Sequence, residues 1–418
     1  MFDPPPGPFR ARFWRSPLRG PWFTAVLGLV LLAGLAAVLV TGLLSYAAYN
    51  PALPGNDPTP GKGLFGFYLF SWPVDPPWLY RLTQGVHVSV GLALVPVVLA
   101  KLWSVIPKLF EFPPVRSVAH ALERASLLLL VGGVIFEFAT GILNIQVFYA
   151  FPFSFYPAHL YGAWVTTGAL AVHVAHKFPT MLRSLRLHSL RSVLRTPTGA
   201  TVQDPPGALV ATDPAAPTVS RRGALALVGG ASLTLVGLYA GQTLDGPLRA
   251  TALLSPHDRG NGSGGNDFPV NRTAAAAGIT ATAVEAWRLE LVGPAGVQRW
   301  DREALSAMPQ RTADLPIACV EGWSVSRTWT GVPLRALLAL AGGAPGDRLL
   351  VESFQAAGPF GRVNLSVAQS NAERSLLALR VGGEDLSIDH GFPARIVIPA
   401  APGVHATKWV GRISVIPS

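Results

Sequence analysis

The chain has 418 residues and a formal net charge of +10; half of its residues are hydrophobic and 13% are charged. This composition is too apolar for an ordinary soluble protein, and the basic excess lies mostly before position 245. Nucleic acid is a poor explanation for that excess, because no basic stretch is interleaved with aromatic residues on a soluble domain. A single cysteine, Cys319, excludes an intrachain disulfide.

Five segments before position 245 are long and apolar enough to cross a bilayer as helices, which takes about 20 residues. A buried core helix is the alternative for each, but five such segments with polar, Pro-rich or basic connectors favour the membrane. We therefore predict an all-α transmembrane bundle of four helices plus a fifth connecting helix. The predicted spans are Trp22–Ala48, Leu82–Ala100, Ser126–Ala150, Pro157–His176 and Gly223–Thr243.

Basic residues assign the two sides of this bundle. Lys and Arg cluster before the first span, between the second and third, and after the fourth, whereas the other side carries only Lys62 and Arg81 over the first four spans. Because basic loops stay in the cytoplasm, we predict the N-terminus inside a bacterial cytoplasmic membrane and residues 244–418 outside it. Ser220-Arg221-Arg222 resembles a twin-arginine export signal, and an ordinary basic flank explains it equally well.

Histidine is costly in a membrane helix and usually functional there. His87 and His159 are predicted at the outer ends of the second and fourth spans, and His120 and His173 toward the inner ends of the third and fourth. His159 and His173 share one helix face and lie about 21 Å apart. Neutral imidazoles ligate haem iron in axial pairs, which predicts an outer pair, His87 with His159, and an inner pair, His120 with His173.

This pattern predicts one or two b-type haems, and histidines at the headgroup interface without metal are the alternative. The arrangement resembles prokaryotic cytochrome b561 and related di-haem membrane cytochromes. His176 is an alternative inner ligand. Glu137, within the third span, is interpreted as a protonated packing residue in preference to a proton relay or a quinone contact.

Folded sequence resumes at Phe268, where short β-type segments and a helix at Pro333–Ala341 indicate a mixed α+β domain with its own core. Its predicted strands are Trp287–Val292, Arg348–Phe354, Arg395–Ile398 and Arg412–Ile416. The predicted order is a basic cytoplasmic N-terminus (1–21), a haem domain (22–183), a cytoplasmic linker (184–222), the fifth helix (223–243), a flexible outer linker (244–267) and the α+β domain (268–418).

Three patches of the α+β domain carry chemistry. In Ile317–Ser324, Cys319 follows an apolar segment and precedes a Gly-Trp turn, where a strand end could present a thiolate to a redox metal. Ile388–Arg395 and Gly403–Trp409 place His with Arg or Lys beside glycines, which suits a phosphate. Each patch alone is equally compatible with a surface turn.

Together and in this order, the patches resemble the sulfite oxidase family of molybdopterin enzymes. The matching residues are Cys319, the segment His390-Gly-Phe-Pro-Ala-Arg395, and the closing Lys408-Trp409; Phe268–Thr273 resembles the segment that begins pterin binding. The resemblance implies that Cys319 ligates molybdenum. It also implies that pterin or its phosphate is contacted by Asn271, Arg272, Thr273, His390, Arg395, His405 and Lys408.

The basic segment that follows the metal cysteine in sulfite oxidases is missing, and Glu321 stands two residues after Cys319. In this the chain resembles the catalytic subunit of bacterial methionine-sulfoxide reductase. A carboxylate beside the metal disfavours anionic sulfite and tolerates a neutral sulfoxide, although Arg327 is a candidate catalytic cation. The immunoglobulin-like dimerisation domain of eukaryotic sulfite oxidases is absent, so no oligomer is implied.

These patterns predict a membrane-bound oxidoreductase that transfers an oxygen atom at molybdenum. Electrons would pass between the metal, its own haems and a quinone or cytoplasmic partner. The substrate class is a small-molecule or protein sulfoxide, or another small S- or N-oxide. Alternatives are a sulfite dehydrogenase that feeds the quinone pool, a non-catalytic cofactor-binding membrane protein, which the presence of Cys319 disfavours, and a transporter-like protein with an inert outer domain.

Overall fold

The structure is a computed structural model that describes residues 3–57, 59, 68–205, 209–257, 264–356 and 358–418. Lys62 and positions 258–263 of the predicted outer linker lie outside these described residues. The chain forms two compact units. The helical unit comprises Met1–Leu39, Ser89–Asn144 and Tyr149–Gly237, and the mixed unit comprises Val40–Val88, Ile145–Phe148 and Leu238–Ser418.

Each of the first four predicted spans lies largely on one helix, and the fifth is divided between two helices, Arg221–Gly237 and Ala240–Leu244. Pro21 opens the first one, where a proline costs no hydrogen bond, and the 28-residue helix is apolar on all sides, as lipid contact requires. The helices are α1 (Pro21–Ala48), α2 (Leu79–Val105), α3 (Val118–Ile145), α4 (Phe155–Leu185), α5 (Leu190–Arg195), α6 (Arg221–Gly237) and α7 (Ala240–Leu244).

Four helical stretches of the described residues are long and apolar enough to cross a membrane: Pro21–Ala48, Leu79–Phe110, Val118–Ile145 and Arg221–Leu244. The fourth predicted span is different. Helix α4 has 31 residues, but it is not among these stretches, because histidines, Tyr161 and Trp164 dilute its apolar residues. Of the five predicted spans, four therefore have the hydropathy of a span, and the fourth in chain order is a long, more polar helix.

The predicted cytoplasmic linker is partly folded. Asp204 is buried in the helical unit, where its carboxylate lies 2.6 Å from Nη2 of Arg221 and 2.7 Å from Nε2 of His188. The backbone N–H of Trp22, at the start of α1, donates to the same carboxylate over 3.0 Å. Arg221 of the twin-arginine-like motif is thus the counter-ion of a buried acid.

The mixed unit is an α+β fold with two sheets, in agreement with the sequence prediction. The first has the order β2-β1-β10-β5-β6, in which β1 and β10 are parallel and the other pairs antiparallel. Its strands are β1 (Leu289–Gly293), β2 (Gly296–Trp300), β5 (Arg348–Ser353), β6 (Arg362–Leu365) and β10 (Val410–Ile416).

The second sheet has the order β3-β4-β7-β8, and β9 also pairs with β7. Its strands are β3 (Arg311–Ala318), β4 (Ser324–Pro333), β7 (Leu376–Val381), β8 (Glu384–Asp385) and β9 (Arg395–Val397). Short helices complete the unit: α8 (Ala281–Glu285), α9 (Arg302–Ala307), α10 (Leu334–Leu340) and α11 (Val367–Asn371). All four predicted strands and the predicted helix at Pro333–Ala341 are confirmed within a few residues.

The mixed unit begins well before Phe268. The indole of Trp72 donates to the carbonyl of Ala400 over 2.7 Å, and the amide of Asn56 donates to the carbonyl of Asn364 over 2.8 Å. The described part of the outer linker is also partly folded, with a 3-10 helix at Gly246–Thr251 that buries Arg249. The α+β domain is therefore built together with the end of α1, the start of α2 and residues 238–257.

Candidate active site

Cys319 occupies the turn between β3 and β4. Its N–H donates to the carbonyl of Trp323 over 2.9 Å, and its carbonyl accepts from the N–H of Gly322 over 3.0 Å. Gly322 has a φ of +87°, which a residue with a side chain rarely adopts, and a Cβ there would lie 2.9 Å from Val88. The glycine therefore closes the tight loop that presents the sulfur directly after a buried strand.

The sulfur is buried and lies beside an acid. Burial, together with the charge and the hydrogen bond of the Glu321 carboxylate, raises the pKa of the Cys319 thiol well above its usual range. The side-chain amide of Asn271 lies 3.3 Å from the Cys319 sulfur and accepts from the indole of Trp323 over 3.2 Å. Such a thiol ionises when a metal cation replaces its proton, and Asn271, which is exposed, marks the solvent side of the sulfur.

Two cations lie in this part of the domain: Arg395 is buried, and Lys408 is half-buried and within electrostatic reach of Cys319. Arg395 donates to the carbonyls of His390 (2.9 Å) and Ala406 (3.1 Å), and burial lowers its pKa to about 9. The Lys408 ammonium donates to the carbonyls of Arg272 and Asp389. Burial, and then the charge of Arg395, lower the pKa of Lys408 to about 7. Buried cations that share few counter-charges favour a bound anion.

Two histidines belong to the same cluster. His390 contacts the hydroxyl of Ser387 through Nδ1 (2.8 Å) and the carbonyl of Phe268 through Nε2 (3.0 Å). His405 is fully buried, and the ring of Tyr49 lies edge-on to it at 5.6 Å. Burial lowers the pKa of each imidazole to about 4, so both are neutral near pH 7 and available as hydrogen-bonding groups.

The cluster passes a direct test for a polar cofactor. Of the buried polar atoms among the described residues that have no hydrogen-bond partner, three belong to this cluster: Nε of Arg395, Nδ1 of His405 and the hydroxyl of Thr407. Each such atom in a native structure calls for a partner, and three in one cluster fit a ligand with several donors and acceptors. A pterin with a phosphate has that chemistry. Gly358, with a φ of +90°, leaves space that the guanidinium of Arg272 fills.

The remaining predicted residues are placed less centrally. The hydroxyl of Thr273 accepts from the N–H of Ala276 over 3.2 Å and so caps a short 3-10 turn. Arg327, on β4 opposite Leu315, donates to the carbonyl of Asp267 over 2.6 Å, and its guanidinium lies 3.9 Å from Asp245. The contacts of Arg327 therefore connect it to these acidic residues and give no link to the sulfur.

Residues 276–418 match the family described as oxidoreductase molybdopterin binding domain. This segment is a molybdopterin-binding oxidoreductase domain. It contains Cys319 and both basic patches, and its relatives include sulfite oxidases, so the resemblance found in the sequence is confirmed at the level of the domain family.

Three relatives illustrate the match. The chain is 28% identical over 149 residues to the candidate protein-methionine-sulfoxide reductase subunit YedZ1 of Azospira oryzae, covering 35% of this chain and 56% of that protein. It is 34% identical over 116 residues to sulfite oxidase of Arabidopsis thaliana, covering 23% and 29%. The crystal structure of sulfane dehydrogenase SoxCD from Paracoccus pantotrophus matches with 26% identity and a TM-score of 0.29, covering 32% and 38%. The chain thus spans little more than half of the first relative.

Two histidines on long helices have matched surroundings, one in each unit. In the mixed unit, Nδ1 of His87 lies 3.2 Å from the hydroxyl of Thr41, and a Cβ on Gly42 would lie 3.2 Å from the His87 ring. A hydrogen bond at Nδ1 orients an imidazole so that Nε2 ligates a metal, and a glycine beside the ring allows close approach of a flat group. His87 therefore fits a haem ligand.

In the helical unit, Nδ1 of His159 lies 3.0 Å from the hydroxyl of Thr140, and a Cβ on Gly141 would lie 3.7 Å from the ring. The same nitrogen lies 3.1 Å from Oε2 of Glu137. The carboxyl group of Glu137 therefore contacts the nitrogen that would face away from the metal in a candidate iron ligand, and its interpretation as a hydrogen-bonded packing residue stays a prediction.

The inner histidines fit iron less well. The ring of His120 accepts from the N–H of Arg116 through Nδ1 over 3.2 Å, so its proton is on Nε2 and neither nitrogen offers a lone pair. His176 is largely exposed and lies 4.0 Å from Glu123. His173 lies within electrostatic reach of Lys101 and Lys177. Of the predicted inner ligands, His173 therefore remains the candidate for binding haem iron.

Sequence reasoning missed three residues that hold the Cys319 loop. Gln84, Tyr239 and Thr243 are buried, and each donates to a backbone carbonyl of that loop. They lie in helices predicted to be membrane spans, where a Gln, a Tyr and a Thr near the ends resemble ordinary interfacial residues. In the sequence, the only indication of this role is that three polar side chains lie close to the ends of two predicted spans.

Proposed function

We propose that this chain is a membrane-bound oxidoreductase that transfers an oxygen atom between a small sulfoxide-type substrate and a molybdenum–pterin centre. The observation that carries the proposal is the buried Cys319 thiol, which lies within electrostatic reach of Lys408, in a domain whose buried Arg395, His405 and Thr407 have unpaired polar atoms. When bound, molybdopterin would supply a two-electron redox metal that exchanges an oxygen atom with substrate. The chain's own residues supply the seat, the orientation and the charge around it.

The residues divide these tasks. Cys319 would ligate the metal, and Asn271 would hold the sulfur by the amide that lies 3.3 Å from it. Arg395, His405 and Thr407 would use their unpaired atoms to bind the pterin, and Lys408 and Arg272 would neutralise its phosphate. His390 would stay neutral and hold the loop at Phe268 in place.

Glu321 supports a sulfoxide over sulfite. Its carboxylate lies within hydrogen-bonding reach of the Cys319 sulfur and is buried, so an anionic substrate would meet a negative charge in a medium of low dielectric constant. A neutral sulfoxide would not be repelled by this charge. Sulfite oxidation with electrons passed to quinone is the runner-up, and the relatives that are sulfite oxidases support it.

We also propose that His87 and His159 each serve as a ligand to b-type haem iron, and that bound haem exchanges electrons with a quinone or another membrane partner. The hydrogen bonds of both rings through Nδ1 support this assignment, and His173 is the candidate ligand for a second haem. The basic loops support a cytoplasmic N-terminus and an extracytoplasmic catalytic domain in a bacterial membrane.

The proposal is tested on purified full-length protein in detergent. Wild type should contain molybdenum and pterin and, after dithionite reduction, show a b-type haem absorbance band. Cys319→Ser should keep the pterin and the haem band and lose sulfoxide reduction. Full activity in that variant would defeat the assignment of Cys319, and a missing haem band in wild type would remove the electron-transfer part alone.

A further inference from the structure

The loop that carries Cys319 is held at three successive carbonyls. The carbonyl of Val320 accepts from the Gln84 amide over 2.8 Å, that of Glu321 accepts from the Tyr239 hydroxyl, and that of Gly322 accepts from the Thr243 hydroxyl over 2.6 Å. All three donors are buried and belong to the mixed unit. The loop is therefore fixed to two helices that precede the catalytic domain in sequence.

Gln84 is aimed by a second hydrogen bond. The hydroxyl of Ser45, on α1, donates to Oε1 of Gln84 over 3.1 Å, which leaves the N–H groups of the amide directed at Val320. Ser45 in turn contacts the hydroxyl of Tyr80, one turn earlier on α2, at 3.5 Å. A buried amide that is fixed at both ends has one orientation, so the bond to Val320 is part of a rigid polar network.

The same turn of α2 carries the candidate haem ligand. His87 follows Gln84 by three residues, so both side chains project from neighbouring positions on one helix face. From the sulfur, the connection runs through the backbone to the Val320 carbonyl and across one hydrogen bond to Gln84. It then continues along less than one turn of helix to His87.

We infer that Gln84 is the positioning residue that couples the Cys319 metal site electronically to the iron held by His87. The inference rests on the proposed function. With both groups bound, each transfer would move one electron from the haem to the molybdenum centre, and the quinone-type or other membrane partner of the proposed function would replace it. Two such transfers, with two protons from solvent, would balance the conversion of a sulfoxide to a sulfide and water. Gln84 exchanges no proton or electron itself; it supplies the hydrogen bond that shortens the path through space.

The test compares Gln84→Met with Thr83→Val in the full-length protein. Methionine keeps the length of the side chain and removes the N–H donor. Thr83 is the matched control, because it is buried on the adjacent position of α2 and bonds only within its own helix, to the carbonyl of Tyr80. The readout is the relaxation of the haem absorbance after flash reduction without substrate, which reports electron exchange between iron and metal.

We expect Gln84→Met to slow this relaxation by about tenfold or more, which corresponds to about 1.4 kcal/mol, and Thr83→Val to leave it unchanged. Sulfoxide reduction driven by a reduced viologen, which bypasses the haem, should fall much less in Gln84→Met. An unchanged relaxation would overturn the inference. So would an equal fall of both rates, because it would mean that Gln84 only holds the thiolate loop in shape.

If Gln84→Met does not accumulate, Gln84→Glu provides the same test, since it retains the acceptor for Ser45 and removes the donor to Val320. Failure of the proposed function would look different. In that case wild type itself would lack the haem band or show no relaxation, whereas failure of the inference requires a normal wild-type signal and an unaffected variant.

Discussion

The side-chain amide of Asn271 lies 3.3 Å from the sulfur of Cys319, although Asn271 is exposed and Cys319 is buried. Asn271 is held in this position by the indole N–H of Trp323, which donates to its Oδ1. A hydrogen bond to a metal-bound thiolate lowers the electron density on the sulfur and thereby tunes the metal.

We predict that Asn271→Leu lowers sulfoxide turnover per bound molybdenum by about tenfold to a hundredfold, since a hydrogen bond to a charged group contributes about 1.5–3 kcal/mol. Asn266→Leu is the control: its amide also makes hydrogen bonds, to Glu384, Asp385 and Ser387, but none to the sulfur. That variant should lose thermal stability and keep its turnover. Wild-type turnover in Asn271→Leu would contradict the role given to this amide.

The second prediction concerns substrate charge. Removing the carboxylate in Glu321→Gln should lower the KM for sulfite by about tenfold. Two like unit charges 4 Å apart repel by about 1 kcal/mol in water and by about 4 kcal/mol near a protein surface. The KM for dimethyl sulfoxide should change by less than about twofold. Glu290→Gln is the control, because Glu290 pairs with Arg299 and Arg412 on the first sheet. If sulfite and sulfoxide respond alike to Glu321→Gln, repulsion is not what selects the substrate.

The third prediction is a pH dependence of stability. The buried His405 has a pKa of about 4 in the folded protein, below its ordinary value of 6.5, so the unfolded chain binds the proton more tightly. Its contribution is therefore fully present above about pH 6.5 and is lost as pH falls toward 4, by about 3 kcal/mol in total. Thermal unfolding of cofactor-free protein between pH 7 and 4 should show this loss. His405→Gln should show a shallower one, and equal slopes would exclude His405 as the cause.

Sequence patterns predicted the elements well and their grouping less well. Strand β10 and helix α10 follow from local periodicity and were found within a few residues. The boundary at Phe268 placed Trp72 and Asn56 in a membrane domain, whereas their side chains bond to Ala400 and Asn364. Such pairings join residues roughly 300 positions apart, and no local pattern encodes them.

The candidate site was likewise predicted where it depends on local motifs and missed where it depends on long-range contacts. The family motifs identified Cys319, Arg395 and Lys408 as site residues, because those residues stand at fixed spacings in the chain. They could not reveal that Gln84 and Thr243 hold the loop. The geometry also separates residues that the sequence treats alike: His87 and His120 are both membrane-helix histidines, but only the structure shows that His120 uses Nδ1 as an acceptor.

The fourth prediction separates the two interpretations of Ser220-Arg221-Arg222. Asp204→Asn should destabilise the purified protein by about 3–5 kcal/mol, because it leaves the buried Arg221 without its charge partner. Arg221→Lys should also lower the midpoint of thermal unfolding, whereas Arg222→Lys should not, since Arg222 is an exposed residue bonded to the carbonyl of Leu194. If both lysine variants block export of the catalytic domain and leave the stability of purified protein unchanged, the motif serves as a signal.

The joint construction of the catalytic domain with the helix ends has a practical consequence for anyone who wishes to work with a smaller protein. A fragment starting at Phe268 would leave the Ala400 and Asn364 carbonyls unsatisfied and uncover the apolar surfaces that Trp72 and Tyr80 protect. We expect that fragment to aggregate in aqueous buffer. We also expect its Cys319 loop to lose the order that metal insertion needs. Residues 40–88 are, in this sense, an integral part of the folding unit that carries the redox site.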